Sequence, residues 1–285
     1  YHGHTDGMLV KAGSGLAGAV AADSAGIPEE IANLTLVANL DDEREFDEIF
    51  KIHGGEIAAL ILEPLPANFG LLIQRPEFIH HVVATAKKYG ALVIFDEVIS
   101  GFRVGLGGMA EKLGIKPDLV TFGKVIGGGF PVGCFGGRRD LLDLVAPSGP
   151  VYQAGTLSAN PVGMAAGLAT LKKVKEENVF SVLDTRAGNF CDNLNKRFAR
   201  YPIQVSRYAS IFWIHARAMG PIRKLTDIPA IHREKFPQFF HAALGRGVYL
   251  APSGFEVGFV SAAHTDKILE QAAVALEAAA KEVYG

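Results

Sequence analysis

Three short apolar runs, each closing on an ionisable residue, constrain this chain more than any other feature. They are EIAALILEP at 56–64, ALVIFDE at 91–97 and DLVTFGK at 118–124. Each is too short for a core helix and too uniformly apolar for a half-exposed strand. Each therefore reads as a strand buried on both faces. An amphipathic helix over 75–89, stopping at Gly90, separates the first two runs. A shorter helix over 107–113 separates the second from the third. A short acidic helix over 42–53 precedes them all. Strand–helix–strand alternation of this kind predicts an α/β fold with a mostly parallel sheet. Ligands in such folds sit at strand ends, and Glu63, Asp96 and Lys124 stand at three of them.

The pattern continues with a strand over 131–138, a short helix opened by Arg139-Asp140, and helices over 160–177 and 179–199. Beyond these the texture changes. Short strands over 203–207, 210–216 and 247–252 mix with helices over 231–245 and 265–283. We place a boundary there, with a large α/β unit over 1–175 and a smaller α+β unit over 176–285. With 285 residues and 49% hydrophobic content, two such cores are affordable.

A formal net charge of −2 leaves no basic surplus for nucleic acid or an anionic membrane. The longest apolar runs, such as IAALIL at 57–62, are far too short to span a bilayer. Cys134 and Cys191 alone make no disulfide framework, which points to a reducing, cytoplasmic setting. The start, Tyr1-His2-Gly3-His4, shows neither an initiator Met nor a signal peptide. The expectation is a chain that begins inside a longer protein. Residues 5–33, rich in Gly, Ala and Ser, read as a long functional loop.

An acid and a lysine at neighbouring strand ends match what pyridoxal phosphate (PLP) needs. The amine forms a Schiff base, and a carboxylate keeps the pyridine nitrogen protonated. A lysine at a strand end is ordinarily a solvated terminus. Lys124, however, is followed by Val125-Ile126-Gly127-Gly128-Gly129, and these glycines read as clearing space around the amine. Asp96 serves equally as a helix cap or a ring-nitrogen partner. Val98 points to the same side if the chain stays extended, and fits either a core or the face of a flat ring. Glu63 and Asn68 are supporting hydrogen-bond groups or parts of a strand-end turn. Gln153–Pro161 leads into a helix and offers N–H groups and hydroxyls for a phosphate or for N-capping. Tyr1 is a platform for a planar ligand. His2 and His4 lack further ligands at metal spacing, so no metal is expected. No G-x-G-x-x-G opens a helix after the first strand, which excludes a dinucleotide fold.

Assembled, these stretches resemble the class III, fold-type I PLP-dependent aminotransferases over essentially the whole chain. DEV at 96–98 and Gly123-Lys124 match the class as a whole. YHGH at 1–4, KAGSG at 11–15, QAGTLS at 153–158 and YLAPSGFE at 249–256 resemble its aminomutase branch. That resemblance implies pyridoxal 5'-phosphate or its amine form as cofactor. It implies a small-molecule substrate, glutamate-1-semialdehyde, and a homodimer with sites at the subunit interface. Position by position, it implies that Lys124 anchors the cofactor, Asp96 binds the ring nitrogen, and Val98 and Tyr1 cover the ring. Asn68 lies near the phenolic oxygen, and Gly155 and Thr156 reach the neighbouring subunit's phosphate. Ser14 belongs to a gating segment, Glu256 sits near the substrate amine, and Glu63 and His2 support the first shell of groups.

Two departures stand out. The family carries a further portion before YHGH, with the first phosphate loop and the groups that hold the substrate carboxylate. Pro66-Ala67-Asn68-Phe69-Gly70 stands where the family more usually has Val-Gly-Asn-Ser-Gly or Val-Gly-Asn-Met-Gly. The competing readings are an ω- or β-amino-acid transaminase on the same fold and a non-catalytic dimerising fragment.

Overall fold

The computed structural model describes residues 5–11, 21–22 and 24–285. Tyr1, His2 and Ser14 lie outside these residues. The early segment, read from sequence as one loop, carries short regular pieces. Strands β1 (Val10–Lys11) and β2 (Ala21–Ala22) pair antiparallel, and a one-turn helix α1 (Glu29–Ala32) follows. Helix α2 (Glu43–His53) starts at Asp42, whose carboxylate accepts the Glu45 N–H at 3.0 Å.

The main sheet comprises β3 (Ala59–Leu62), β4 (Leu92–Asp96), β5 (Leu119–Phe122) and β6 (Cys134–Gly137), in that spatial order. The first three strands are parallel, as the apolar runs predict. β6 returns antiparallel to β5, because the link from Phe122 to Cys134 holds no crossover helix. Helices α3 (Pro76–Lys88) and α4 (Gly108–Leu113) supply the crossovers. α3 ends in a tight cap. Gly90 takes φ 81°, its N–H reaches Lys87 O, and Ala91 N–H reaches Ala86 O at 3.0 Å. That geometry needs a left-handed residue, and it turns the chain straight into β4. Phe46, Phe50, Phe78, Val82, Val93 and Phe95 fill the layer between α2, α3 and the sheet.

After β6 come α5 (Arg139–Leu142), α6 (Pro161–Glu176) and α7 (Val179–Arg197). A second, antiparallel sheet holds β7 (Ile203–Tyr208), β8 (Ile211–Ala216) and β9 (Gly258–Phe259). Helices α8 (Ala230–Leu244) and α9 (Asp266–Tyr284) join α7 over it, burying Leu194, Phe198, Phe239, Ala273 and Leu276. His215 on β8 is fully buried. It donates from Nδ1 to Ala216 O and meets Ser206 Oγ at Nε2, both at 2.8 Å. Burial pushes its pKa down to about 4.

One expected strand is absent. GVYLAP at 247–252 forms no ladder, and β8 pairs instead with Gly258–Phe259. The cause is the end of α8. Gly247 takes φ 82° and Val248 N–H reaches back to Ala243 O at 3.0 Å, so the segment begins as a helix cap. Pro252 then lacks an N–H to give a ladder.

A third core joins the two sheets. Leu65, Leu71 and Met109 pack with Ile211, Trp213 and Val257. Beside it lies Glu97, only 1% exposed, directly after β4. Its carboxylate accepts Ser100 Oγ–H at 2.9 Å, Met109 N–H at 2.7 Å and Ala110 N–H at 2.9 Å. It thus caps the first turn of α4 from a distance and pins that helix to the strand end. Gly108 there takes φ 60°, and a Cβ on it would lie 2.2 Å from a Glu97 oxygen. Glu97→Ala should cost on the order of 3 kcal/mol, because it leaves buried N–H groups unpaired. Urea unfolding of the two chains checks this.

Candidate active site

The strand register builds the site. Leu62 pairs with Phe95, and Asp96 pairs with Thr121. Extending the β3–β4 register by one residue sets Glu63 beside Asp96. Glu63, Asp96 and Thr121 therefore form a row along the C-terminal edge of the parallel strands, where the sheet opens. Lys124 follows β5 in a 3₁₀ turn, Lys124–Gly127.

Asp96 is half-buried. Its Oδ1 accepts Val98 N–H at 3.0 Å, and its Oδ2 has no hydrogen bond among the described residues. Glu63 accepts Ala67 N–H at 3.1 Å. Burial pushes its pKa up to about 7; the Ala67 N–H pulls it down, the Asp96 charge pushes it up, and Lys124 pulls it down. The three groups therefore share one electrostatic field. Glu63 is the neutral or half-ionised member near neutral pH.

Lys124 is exposed, and its amine has no hydrogen bond or ion pair among the described residues. Its φ is 47°, a left-handed backbone that a lysine adopts only at a cost. The surroundings hold it there. A Cβ on Gly128 would lie 2.6 Å from Ala166 O and Thr170 Oγ1 of α6. A Cβ on Gly167 of α6 would lie 2.3 Å from Ile126 O, and one on Gly127 would lie 2.7 Å from Val132 Cγ1. The glycine run therefore presses the lysine turn onto α6 rather than clearing space around the amine. On the other side, Gly123 lies against Val98, and a Cβ there would sit 3.2 Å from Val98 Cγ1. Val98, from the turn after Asp96, thus reaches the residue just before Lys124.

The remaining sites are less closely joined. Asn68 is half-buried in the loop after β3. That loop docks on the turn before Glu256: Gly70 N–H reaches Phe255 O at 2.6 Å, and Phe69 stacks on Phe255. Glu256 itself is exposed. Neither Asn68 nor Glu256 bonds to Asp96 or Lys124 among the described residues. Gly155 and Thr156 lie on a segment, 151–159, that is exposed throughout. It leads to Asn160, whose Oδ1 caps α6 by accepting Gly163 N–H at 2.8 Å. Two buried groups escape a sequence reading. Glu97 hides beside Asp96 in the same dipeptide. Arg103 lays its guanidinium 5.1 Å from the Phe259 ring centre, and burial pushes its pKa down.

The donor set fits a ring cofactor that carries an aldehyde. An amine without partners, a carboxylate with a free oxygen and a branched aliphatic side chain meet at adjoining strand ends. Among the described residues no helix is long and apolar enough to cross a membrane.

Comparison with known proteins agrees with this geometry. The family described as "Aminotransferase class-III" matches residues 1–276. The glutamate-1-semialdehyde 2,1-aminomutase of Bdellovibrio bacteriovorus is 59% identical over 275 residues, covering 96% of this chain and 65% of that protein. The protein of the same name from Leptospira interrogans is also 59% identical, covering 94% of this chain and 61% of that one. The chain thus spans less than two thirds of these relatives' length. An omega-transaminase from Sphaerobacter thermophilus superposes with a TM-score of 0.90 at 30% identity, covering 100% of this chain and 67% of that one.

Glu63 supplies a test with a defined sign. Its ordinary pKa is 4.5, and in the folded chain it is about 7. Between these values the unfolded chain has lost the proton that the folded chain keeps, so stability falls as pH rises through the window and levels off above it. Glu63→Gln removes this titration. The variant should gain stability relative to the parent, by on the order of 3 kcal/mol, on going from about pH 4 to about pH 8. Denaturant unfolding at both pH values measures it; an unchanged difference would show that Glu63 does not hold its proton.

Proposed function

We propose, from the premise that the chain belongs to the class-III aminotransferase family, that it holds pyridoxal 5'-phosphate or its amine form. We propose further that it takes part in converting glutamate-1-semialdehyde to 5-aminolevulinate, the tetrapyrrole precursor, by moving an amino group within one molecule. The observation that carries this reading is that a Lys124 amine and an Asp96 oxygen, both without hydrogen-bond partners among the described residues, come from adjoining strand ends. The names of the 59%-identical relatives supply the substrate.

When bound, the cofactor's protonated ring withdraws electrons from the carbon beside the reacting nitrogen. Asp96 would hold that ring nitrogen. Glu63, its pKa raised by burial, would bring less charge beside it. Lys124 would hold the cofactor through Nζ, and its amine would be the group able to take up and return a proton beside it. Its fixed left-handed turn sets where Nζ can reach. Val98 and Tyr1 would cover the ring. Asn68 would hold the phenolic oxygen, and Glu256 would serve the substrate amine. Ser14 would belong to a gating segment, with His2 and Glu63 in support. Residues 1–175 act as the cofactor-holding unit and 176–285 as the smaller C-terminal unit.

The same reading includes a homodimer in the cytoplasm. The face around β6 and α6 supports it, because Phe130, Phe135, Tyr152, Leu157, Val162 and Leu168 are all exposed there. Gly155 and Thr156 lie in its midst, which suits a role at the neighbouring subunit's phosphate.

Adding pyridoxal phosphate to the purified chain should give a near-visible absorbance band that Lys124→Ala abolishes. Formation of 5-aminolevulinate without an added amino acceptor should fall by ~100-fold or more in that variant. Dependence on an added keto acid would instead identify a transaminase. No band in either chain would leave a non-catalytic fragment.

A further inference from the structure

Gly254 presents a carbonyl that accepts hydrogen bonds from two buried rings, Trp213 Nε1 at 2.8 Å and His232 Nε2 at 2.7 Å. Both rings are 1% exposed. His232 donates through Nε2, so Nδ1 is its acceptor, and Ala216 N–H faces it at 3.4 Å. Those partners require a neutral ring. Burial holds His232 below its ordinary pKa, in the same direction. His215 stacks on the Trp213 ring, with centres 4.3 Å apart.

The next carbonyl, Phe255 O, is taken by Gly70 N–H at 2.6 Å. Phe69 stacks on Phe255 with ring centres 4.3 Å apart and planes at 22°. His232 meets Phe255 edge-on at 5.4 Å. Gly70 takes φ 82°, and a Cβ on it would lie 2.8 Å from the Trp213 ring, so the loop backbone lies directly on the indole. Trp213 is thus touched by both segments. It donates to the turn at Gly254 and supports the loop at Gly70. Asn68 is two residues before Gly70, and Glu256 is two residues after Gly254.

We infer that Trp213 and His232 are positioning residues that fasten the loop carrying Asn68 and the turn carrying Glu256 into one unit. Neither ring bonds to Asp96, Glu63 or Lys124 among the described residues, so any effect on the site passes through these two segments. The kinetic consequence rests on the function proposed above; the mechanical coupling does not. A shift of either segment would move Asn68 and Glu256 together.

Hydrogen exchange on the 285-residue chain tests the coupling without cofactor. Trp213→Phe removes the Nε1 donor and withdraws the outer indole carbons that lie under Gly70. Phe69→Ala loosens the unit from the opposite side, at a residue 40% exposed, where folding is not at stake. Each variant should speed exchange in both 66–70 and 253–257 by ~5- to 10-fold, the equivalent of one hydrogen bond, and leave α2 unchanged. If each variant loosened its own segment alone, the coupling would be absent and the inference overturned. With substrate and pyridoxal phosphate, both variants should raise KM by ~5- to 10-fold while the near-visible band stays in place. A lower kcat at unchanged KM would also overturn it. A parent chain that never develops the band defeats the proposed function, and the exchange data then decide the coupling by themselves.

Discussion

Parallel pairing of β3, β4 and β5 is the constraint on which the rest of this structure depends. A parallel ladder brings the C-terminal ends of its strands to one edge, whatever lies between them in sequence. Glu63, Asp96 and Thr121 come from three separate strands, yet the register makes them a row. The row then creates its own electrostatics. Two carboxylates side by side in a half-buried edge cannot both ionise cheaply, so burial and mutual repulsion keep the proton on Glu63. Charge division within the site follows from backbone geometry.

The lysine needs a different kind of support. Lys124 holds a left-handed backbone that the ladder cannot impose, because β5 has already ended at Phe122. Close packing imposes it instead. Gly127, Gly128 and Gly167 let the turn and α6 approach to backbone contact, and Val98 closes the other side through Gly123. α6 is in turn fixed by the Asn160 cap. The exposed segment before that cap and the strained lysine turn therefore share a single support.

The strands and most helices are legible in the sequence because their cue is local. An apolar run closed by a charge, or a 3.6-residue stripe ending in glycine, carries its own meaning. Asp96 and Lys124 were found that way. Asn68 and the 153–161 segment carrying Thr156 offer only open readings, and Glu256 enters through resemblance to a family alone. GVYLAP misleads because its apolar content suits a strand while Gly247 and Val248 are already committed to a helix cap. The glycines after Lys124 mislead similarly, since their use depends on α6, dozens of residues later. Trp213 and Gly70 are farther apart still, and no periodicity links an indole to the glycine lying on it. Asp96 and Glu97 show the limit most simply. They are adjacent acids, yet one faces the ligand edge and the other is sealed inside as a helix anchor.

The edges of the main sheet carry a practical consequence. Among the described residues β3 has one hydrogen-bonded neighbour, β4, and Ile61 on it is 38% exposed. β6 at the other edge is largely exposed as well, with Phe135 at 46%. Unpaired strand edges bearing apolar side chains act as templates for further strands. The colloidal behaviour of this chain is therefore set at its margins rather than in its cores. Stickiness at high concentration would be a property of folded molecules, and conditions that merely favour the folded state would not cure it.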